Sequence, residues 1–253
     1  MSHRSPHALV TGASTGIGRA TAILLAEAGW QVTVTARRAE RLEALAAQYG
    51  VHPVVADLTD HDQVVRLVEQ AEAYAPLTSL VNVAGGALGV DSIAEADLGR
   101  WSAMYERNVL ATLDLTRTVM PAMRERGRGD LLFLTSTAGH DTYPGGGGYV
   151  AAKHAERIIA TTLRQELVGE NIRIIEIAPG IVKTEEFSLN RLGSQDAADD
   201  VYRGIAEPLT AEDIARTIQF TLELPPHVNI DSMIVRGIAQ ATNTLVARVE
   251  DGA

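Results

Sequence analysis

Ala8-Leu9-Val10-Thr11-Gly12-Ala13-Ser14-Thr15-Gly16-Ile17-Gly18 is the stretch on which the reading of this 253-residue chain turns. An apolar run that fits a buried strand ends at Thr11, glycines follow at 12, 16 and 18, and a helical pattern opens at Gly16. Glycine permits the tight turn and lets backbone N–H groups approach an anion at a helix N-terminus, where the dipole favours negative charge. A nucleoside-triphosphate loop would require Lys and Ser/Thr after Gly16, where Ile17 and Gly18 stand. Two readings remain, a cradle for the pyrophosphate of a dinucleotide, which we favour, and a glycine-rich turn that binds nothing.

Outward from this unit, short Val/Ile/Leu runs predict strands over 8–11, 31–36, 51–56, 79–83, 131–136, 172–177 and 233–235. Helical patterns lie between them: 16 to about 29, 39–49, from Asp60 with Gln63 placed for a capping box, roughly 97–120, and Tyr149 to near Gly169. Thr210 with Asp213 marks one more helix start. Strands apolar on both faces and alternating with helices predict an α/β fold: a doubly wound parallel sheet of about seven strands with helices on both faces. No repeat or composition break divides the chain, so residues 1–253 read as a single dinucleotide-binding Rossmann domain. The stretch 185–207, rich in Asp, Ser, Asn and Gly and without a clean period, reads as a substrate lid over the sheet edge where such folds bind ligands.

Composition removes several classes of function. Acidic residues outnumber basic ones 32 to 22, and a net charge of −10 opposes binding to nucleic acid. The chain has no cysteine, which excludes disulfides, thiol nucleophiles and thiolate metal sites. His52, His61 and His154 have no ligand spacing with carboxylates, so no metal site is expected. No apolar run is long enough to span a bilayer or to form a signal-peptide core, and a soluble cytoplasmic protein is expected.

The end of the second predicted strand selects the cofactor. A fold that reads the ribose 2′-hydroxyl of NAD carries Asp or Glu about 20 residues past the glycines. Here the strand ends Thr35-Ala36-Arg37-Arg38, with no acceptor for the hydroxyl and two cations able to hold a 2′-phosphate. NADP(H) is therefore expected over NAD(H), unless both arginines are merely solvated residues at a helix start.

Chemistry enters with Tyr149 and Lys153, four residues apart and hence on one face of a helix, and Ser136 at the end of a strand. An ammonium beside a phenol favours phenolate, so the tyrosine pKa is expected below its ordinary value of about 10, where it can trade a proton with a bound oxygen near neutral pH. The serine hydroxyl supplies a second hydrogen bond to that oxygen.

Gly12-Ala13-Ser14-Thr15-Gly16-Ile17-Gly18, Asn82-Val83-Ala84-Gly85, Asn108, Ser136, Tyr149-Val150-Ala151-Ala152-Lys153 and Pro179-Gly180, taken in order, resemble the short-chain dehydrogenase/reductase family over essentially the whole chain. The resemblance implies that Tyr149 is the general acid in carbonyl reduction, or the base in alcohol oxidation, and that Ser136 polarises the carbonyl. It implies that Lys153 lowers the tyrosine pKa and grips the nicotinamide ribose, and that Asn108 anchors a water of a proton relay. Asp57 and Leu58 would lie near the adenine, Asn82, Ala84 and Gly85 beside the adenosine ribose, and Pro179, Gly180, Val182 and Thr184 around the nicotinamide amide. Val83 departs from the family's usual second asparagine, and Thr15 stands where many NADP-preferring members carry a basic residue. The resemblance further implies a homodimer or homotetramer.

For substrate, Pro179–Ser188 and Pro226–Asp231 are similar to the NADP-dependent 3-hydroxy acid (serine/allo-threonine) dehydrogenase branch. An acid would need a cation, for which Arg191 in the lid is the candidate, whereas Glu185 and Glu186 would repel it. A neutral aldehyde or ketone is the preferred expectation, with a 3-hydroxy acid or a non-catalytic dinucleotide-binding role as alternatives. His140 is read as either a substrate contact or a solvated loop residue. The run Gly145–Gly148 is read as space for a bulky substrate, and Trp101 and Met104 as helix-packing residues.

Overall fold

The computed structural model describes residues 5–249. Seven parallel strands form one sheet in the order β3-β2-β1-β4-β5-β6-β9: β1 (His7–Thr11), β2 (Gln31–Ala36), β3 (His52–Val55), β4 (Ser79–Asn82), β5 (Gly129–Leu134), β6 (Ile172–Pro179) and β9 (Met233–Val235). A separate pair is made by β7 (Val182–Lys183) and β8 (Leu209–Thr210). The direction of winding reverses between β1 and β4, which opens the ligand-binding crevice at their C-terminal ends.

Alternate residues of the strands feed two cores. Leu9, Leu80, Leu131 and Phe133 pack with α3 (His61–Tyr74), α5 (Ala111–Arg126) and α6 (Gly147–Glu166). Val10, Val34, Leu132 and Ile177 pack with α1 (Gly16–Glu27), α2 (Ala39–Tyr49) and α9 (Ala211–Leu222). All residues of β1 and β6 are buried, as a sheet covered on both faces requires.

Arg173 on β6 is a buried cation inside this frame. Its Nε donates to Asp130 at 2.6 Å, and its guanidinium also donates to the carbonyls of Thr221, Leu222 and Leu224 at the end of α9. Arg173→Met would strand the Asp130 carboxylate and those carbonyls, and is expected to cost about 3 kcal/mol. Urea unfolding checks this, with the midpoint falling at unchanged slope.

Two segments differ from the sequence reading. The helix expected over 97–120 is broken into α4 (Leu98–Tyr105) and α5 by a π turn at Glu106–Leu110, and α5 continues through Pro121. A proline inside a helix loses one backbone bond and strains the preceding turn; burial of Leu115, Val119 and Met123, and a left-handed Gly127 cap, offset that loss. The stretch 185–207, read as irregular, holds α7 (Phe187–Leu192) and α8 (Gln195–Tyr202). Gly193, at φ 78°, turns between them, and the Ser194 side chain caps α8. Tyr202 ties this hairpin down through Ser188 (2.7 Å) and the Val182 carbonyl (3.2 Å).

Candidate active site

The glycine loop is built for close approach. A Cβ on Gly18 would lie 2.5 Å from the Gly12 carbonyl oxygen, and one on Gly12, itself at φ 65°, 3.1 Å from Ala84. Thr11 Oγ1 accepts from the backbone N–H groups of Val83 and Ala84, both at 2.9 Å, and so fixes the β1 and β4 ends that flank the crevice. Thr15 starts α1 without capping it, since its hydroxyl donates to Glu185, and the first turn holds no acidic side chain. The N–H groups of that turn are thus left for an external anion. Thr184 faces Gly16 across the opening, and a cleft of about 450 Å³ lies beside the loop among Ser14, Gly16, Arg19, Arg41, Lys183 and Thr184. These residues fit a dinucleotide phosphate.

The cations at the end of β2 are arranged differently from the expectation. Arg38 donates to Ser14 Oγ at 2.8 Å and to Glu186 at 2.6 Å. Arg41, one turn into α2 and not singled out in the sequence, reaches both Glu185 and the Ser14 carbonyl, each within 3.4 Å, and lies 3.0 Å from Glu186. Arg37 is exposed and acts on Asp57 only through its charge. Glu185 is therefore turned to Thr15 and Arg41 beside the glycine loop. Arg41 could have been found from the helical register, since it stands one turn from the strand end.

Other crevice residues spend their side chains inside the protein. Asn82 donates to Thr116, Leu58 packs on the core, and Asp57 accepts two bonds from Thr59 that hold its carboxyl below the usual range. Gly180 donates to the Val235 carbonyl, and a Cβ there would collide with Gln240, which also takes the Ile181 N–H. Pro179 closes β6 and Val182 opens β7, so the chain turns at the crevice rim between them. Ile17 packs against the core beneath α1.

Ser136 follows β5, and Tyr149 lies in the first turns of α6 with Lys153 one turn further on. The Ser136 hydroxyl accepts from the Ala138 N–H at 3.1 Å and acts on the Tyr149 phenol by favouring its ionised form, and Lys153 Nζ lies 5.9 Å from the Tyr149 ring centre. Phe187 of α7, absent from the sequence candidates, packs its edge against Tyr149 at 5.7 Å. The π turn places Asn108 in this group. Its amide donates to the Met104 and Gly86 carbonyls, its Oδ1 accepts from Gly86 N–H, and a Cβ on Gly85 would collide with that oxygen while lying 3.6 Å from Lys153 Nζ.

Burial pushes the Tyr149 phenol above its ordinary value despite the pull of Lys153, which corrects the expected lowering. Lys153 itself loses some charge preference to burial, but Glu156 and Tyr149 outweigh this and hold its pKa up.

Arg191 projects from α7 over the Tyr143 ring at 5.4 Å, its charge is felt at Tyr149, and its buried Nε has no partner. The His140 ring pairs with the buried Glu176 carboxylate of β6 at 2.9 Å and is thus engaged within the protein. Nor do the glycines at 145–148 leave space. Gly146 packs on Tyr143, Gly147 on Ile93 and Trp101, and Gly148 on Met104 and Trp101, so they admit α4 against α6. Among the described residues no cluster of three metal-ligating side chains occurs, and no helix is long and apolar enough to cross a membrane.

A serine, a tyrosine and a lysine grouped at the C-terminal edge of a doubly wound parallel sheet, beside a phosphate cradle, define a dinucleotide-dependent oxidoreductase of the Rossmann class. The family model for short chain dehydrogenase matches residues 6–192, and the chain belongs to that family. An uncharacterised oxidoreductase of Mycobacterium tuberculosis is 48% identical over 93% of this chain and 92% of its own length. Sulfoacetaldehyde reductase 2 of Chromohalobacter salexigens is 38% identical, over 92% of this chain and 94% of its own. The closed form of a serine dehydrogenase complexed with NADP+ superposes with a TM-score of 0.90 at 32% identity, covering 96% of this chain and all of that one.

Proposed function

We propose that this chain interconverts a carbonyl compound and an alcohol with NADP(H) in preference to NAD(H). The observation that carries the reading is the joint placement of Ser136, Tyr149 and Lys153 on the sheet edge that also bears, beyond β4, the cradle with Arg38 and Arg41. When bound, the nicotinamide supplies or accepts the hydride. Ser136 and Tyr149 would hold the substrate oxygen, and Tyr149 gives it a proton in reduction or takes one in oxidation. Lys153 stabilises the phenolate left behind, and Asn108, fixed by Gly86 and Met104, would anchor the water that returns the proton. Arg38 and Arg41 would exchange Glu185 and Glu186 for the 2′-phosphate, with Arg37 adding a solvated charge. Ser14, the N–H groups of residues 15–18, and Asp57, Ala84, Gly85, Gly180 and Thr184 would line the rest of the cofactor.

The substrate we infer carries an anionic group. Glu185 and Glu186, the reason for expecting a neutral carbonyl, stand at the glycine loop beside Thr15, Arg38 and Arg41, whereas Arg191 brings a guanidinium whose Nε is unpartnered towards Tyr149. The relatives named after sulfoacetaldehyde and serine, both charged compounds, support this reading. A panel of short aldehydes and oxo acids, followed by NADPH absorbance, tests it. Arg191→Leu is expected to raise KM for acidic substrates about 10- to 100-fold, as loss of a charge-assisted bond implies, with little change for neutral ones. Equal losses for both would contradict it.

Residues 185–207 would act as the lid, since Phe187 and Arg191 both face Tyr149 from α7. A homodimer or homotetramer is inferred from exposed Leu110, Leu113 and Ile158 around α5 and α6, and a single 27.0 kDa species in light scattering would refute it.

A further inference from the structure

Glu156 is an acid in a place where the reaction does not ask for one. It stands one turn beyond Lys153 on α6 and is 1% exposed, and its Oε2 accepts from Lys153 Nζ at 2.5 Å. Its other oxygen, Oε1, is buried without a partner. Among the described residues, Lys153, 3% exposed, is otherwise held only by the Leu134 carbonyl at 3.1 Å. The ammonium that faces Tyr149 from one side is thus met by a carboxylate from the other.

The charged groups around the pair are few. Tyr149 and Lys153 face Glu156 from its own helix. From β6 comes Glu176, a second carboxylate whose charge is felt at Glu156. Glu176 is itself tied to Thr135 after β5 (2.7 Å) and to His140 (2.9 Å), with Arg157 Nε at 3.8 Å. Arg191 acts on Tyr149 from the lid.

We propose that Glu156 is a positioning residue for the reaction: its carboxylate holds Lys153 towards Leu134 and cancels part of the ammonium charge at Tyr149, so that Glu156 sets the pH range of turnover. The proposal rests on Tyr149 and Lys153 being the catalytic pair. Its physical basis is Coulombic. A negative charge at Glu156 disfavours phenolate at Tyr149, while an unopposed Lys153 favours it, and burial of all three side chains strengthens both effects. Burial pushes the Glu156 carboxyl itself up to about 7, against the opposing pull of Lys153, so the cancellation is present above that pH and fades below it.

Glu156→Gln keeps the shape and removes the charge, and Glu156→Met removes the hydrogen bond as well. In alcohol oxidation, where Tyr149 acts as base, both variants are expected to move the midpoint of the pH–kcat profile down by about one unit. This is a roughly tenfold gain on its acid limb. KM for the alcohol should hold, since Glu156 touches no substrate, and Glu156→Asp should return the midpoint towards wild type. Tyrosinate absorbance titration, taken as each protein minus its Tyr149→Phe counterpart, reads the same shift without turnover. An unchanged or raised midpoint in both assays overturns the proposal. Loss of turnover in Tyr149→Phe with no movement in Glu156→Gln would sink the role of Glu156 alone, whereas persistence of turnover in Tyr149→Phe would sink the catalytic reading beneath it.

Discussion

Tyr149→Phe is expected to lower turnover about a thousandfold while leaving NADPH binding nearly unchanged. The phenol is acted on by both Ser136 and Lys153, and its hydroxyl oxygen is the one heavy atom that phenylalanine removes. The ring would keep its edge contact with Phe187, so the fold and the α7 lid should stay in place. Burial holds the phenol above its ordinary pKa, so carbonyl reduction, which needs the protonated form, should be fast across neutral pH and fall only at alkaline pH. Oxidation of the alcohol should rise over the same alkaline range. Single-turnover kinetics with NADPH, beside a binding titration, check both statements. A protein that only sensed the dinucleotide would show no loss in the variant.

The double substitution Arg38→Ala with Arg41→Ala is expected to raise KM for NADPH by about ten- to a hundredfold and to leave that for NADH within a few fold. Each guanidinium bonded to a phosphate contributes about 1.5–3 kcal/mol. Both side chains are about two-fifths exposed, so solvent screening argues for the lower end of that range. In the absence of phosphate the same cations bond Glu185 and Glu186, whose carboxylates must be given up on binding, and this reduces the net gain further. NADPH and NADH kinetics on one substrate read the ratio directly. A wild-type preference for NADH, or a double variant with unaltered selectivity, would contradict the assignment.

The alternation of buried runs and helices carried the class of the sheet, parallel and doubly wound, because strands such as β6 are apolar on both faces and leave little choice of architecture. The proposed catalytic set was visible in the sequence for a local reason: Tyr149 and Lys153 share one face of α6, and Ser136 follows β5 closely. Side chains whose partners lie far along the chain were not legible. Nothing near Glu185 in sequence reveals that it meets Thr15, 170 positions away, nor does the local sequence show that His140 turns to Glu176. The glycines at 145–148 were misread for the same reason, since only the packed structure has Trp101 and Met104 filling their open side. The π turn at Asn108 left no local mark, because the residue's amide bonds the Met104 carbonyl only once α4 and α5 are joined. The pKa of Tyr149 was read from its one visible neighbour, and the burial that outweighs it is a property of the fold.

Arginines in place of a ribose-binding carboxylate would give this short chain dehydrogenase its use of NADP(H). A thermal-shift titration with NADPH, NADP+, NADH and NAD+ tests it most directly. Selective stabilisation by the phosphorylated pair is predicted, about 2.7 kcal/mol at a hundredfold excess over Kd. Equal stabilisation by the unphosphorylated pair would contradict the role of Arg38 and Arg41, and stabilisation by none of the four would contradict the site itself.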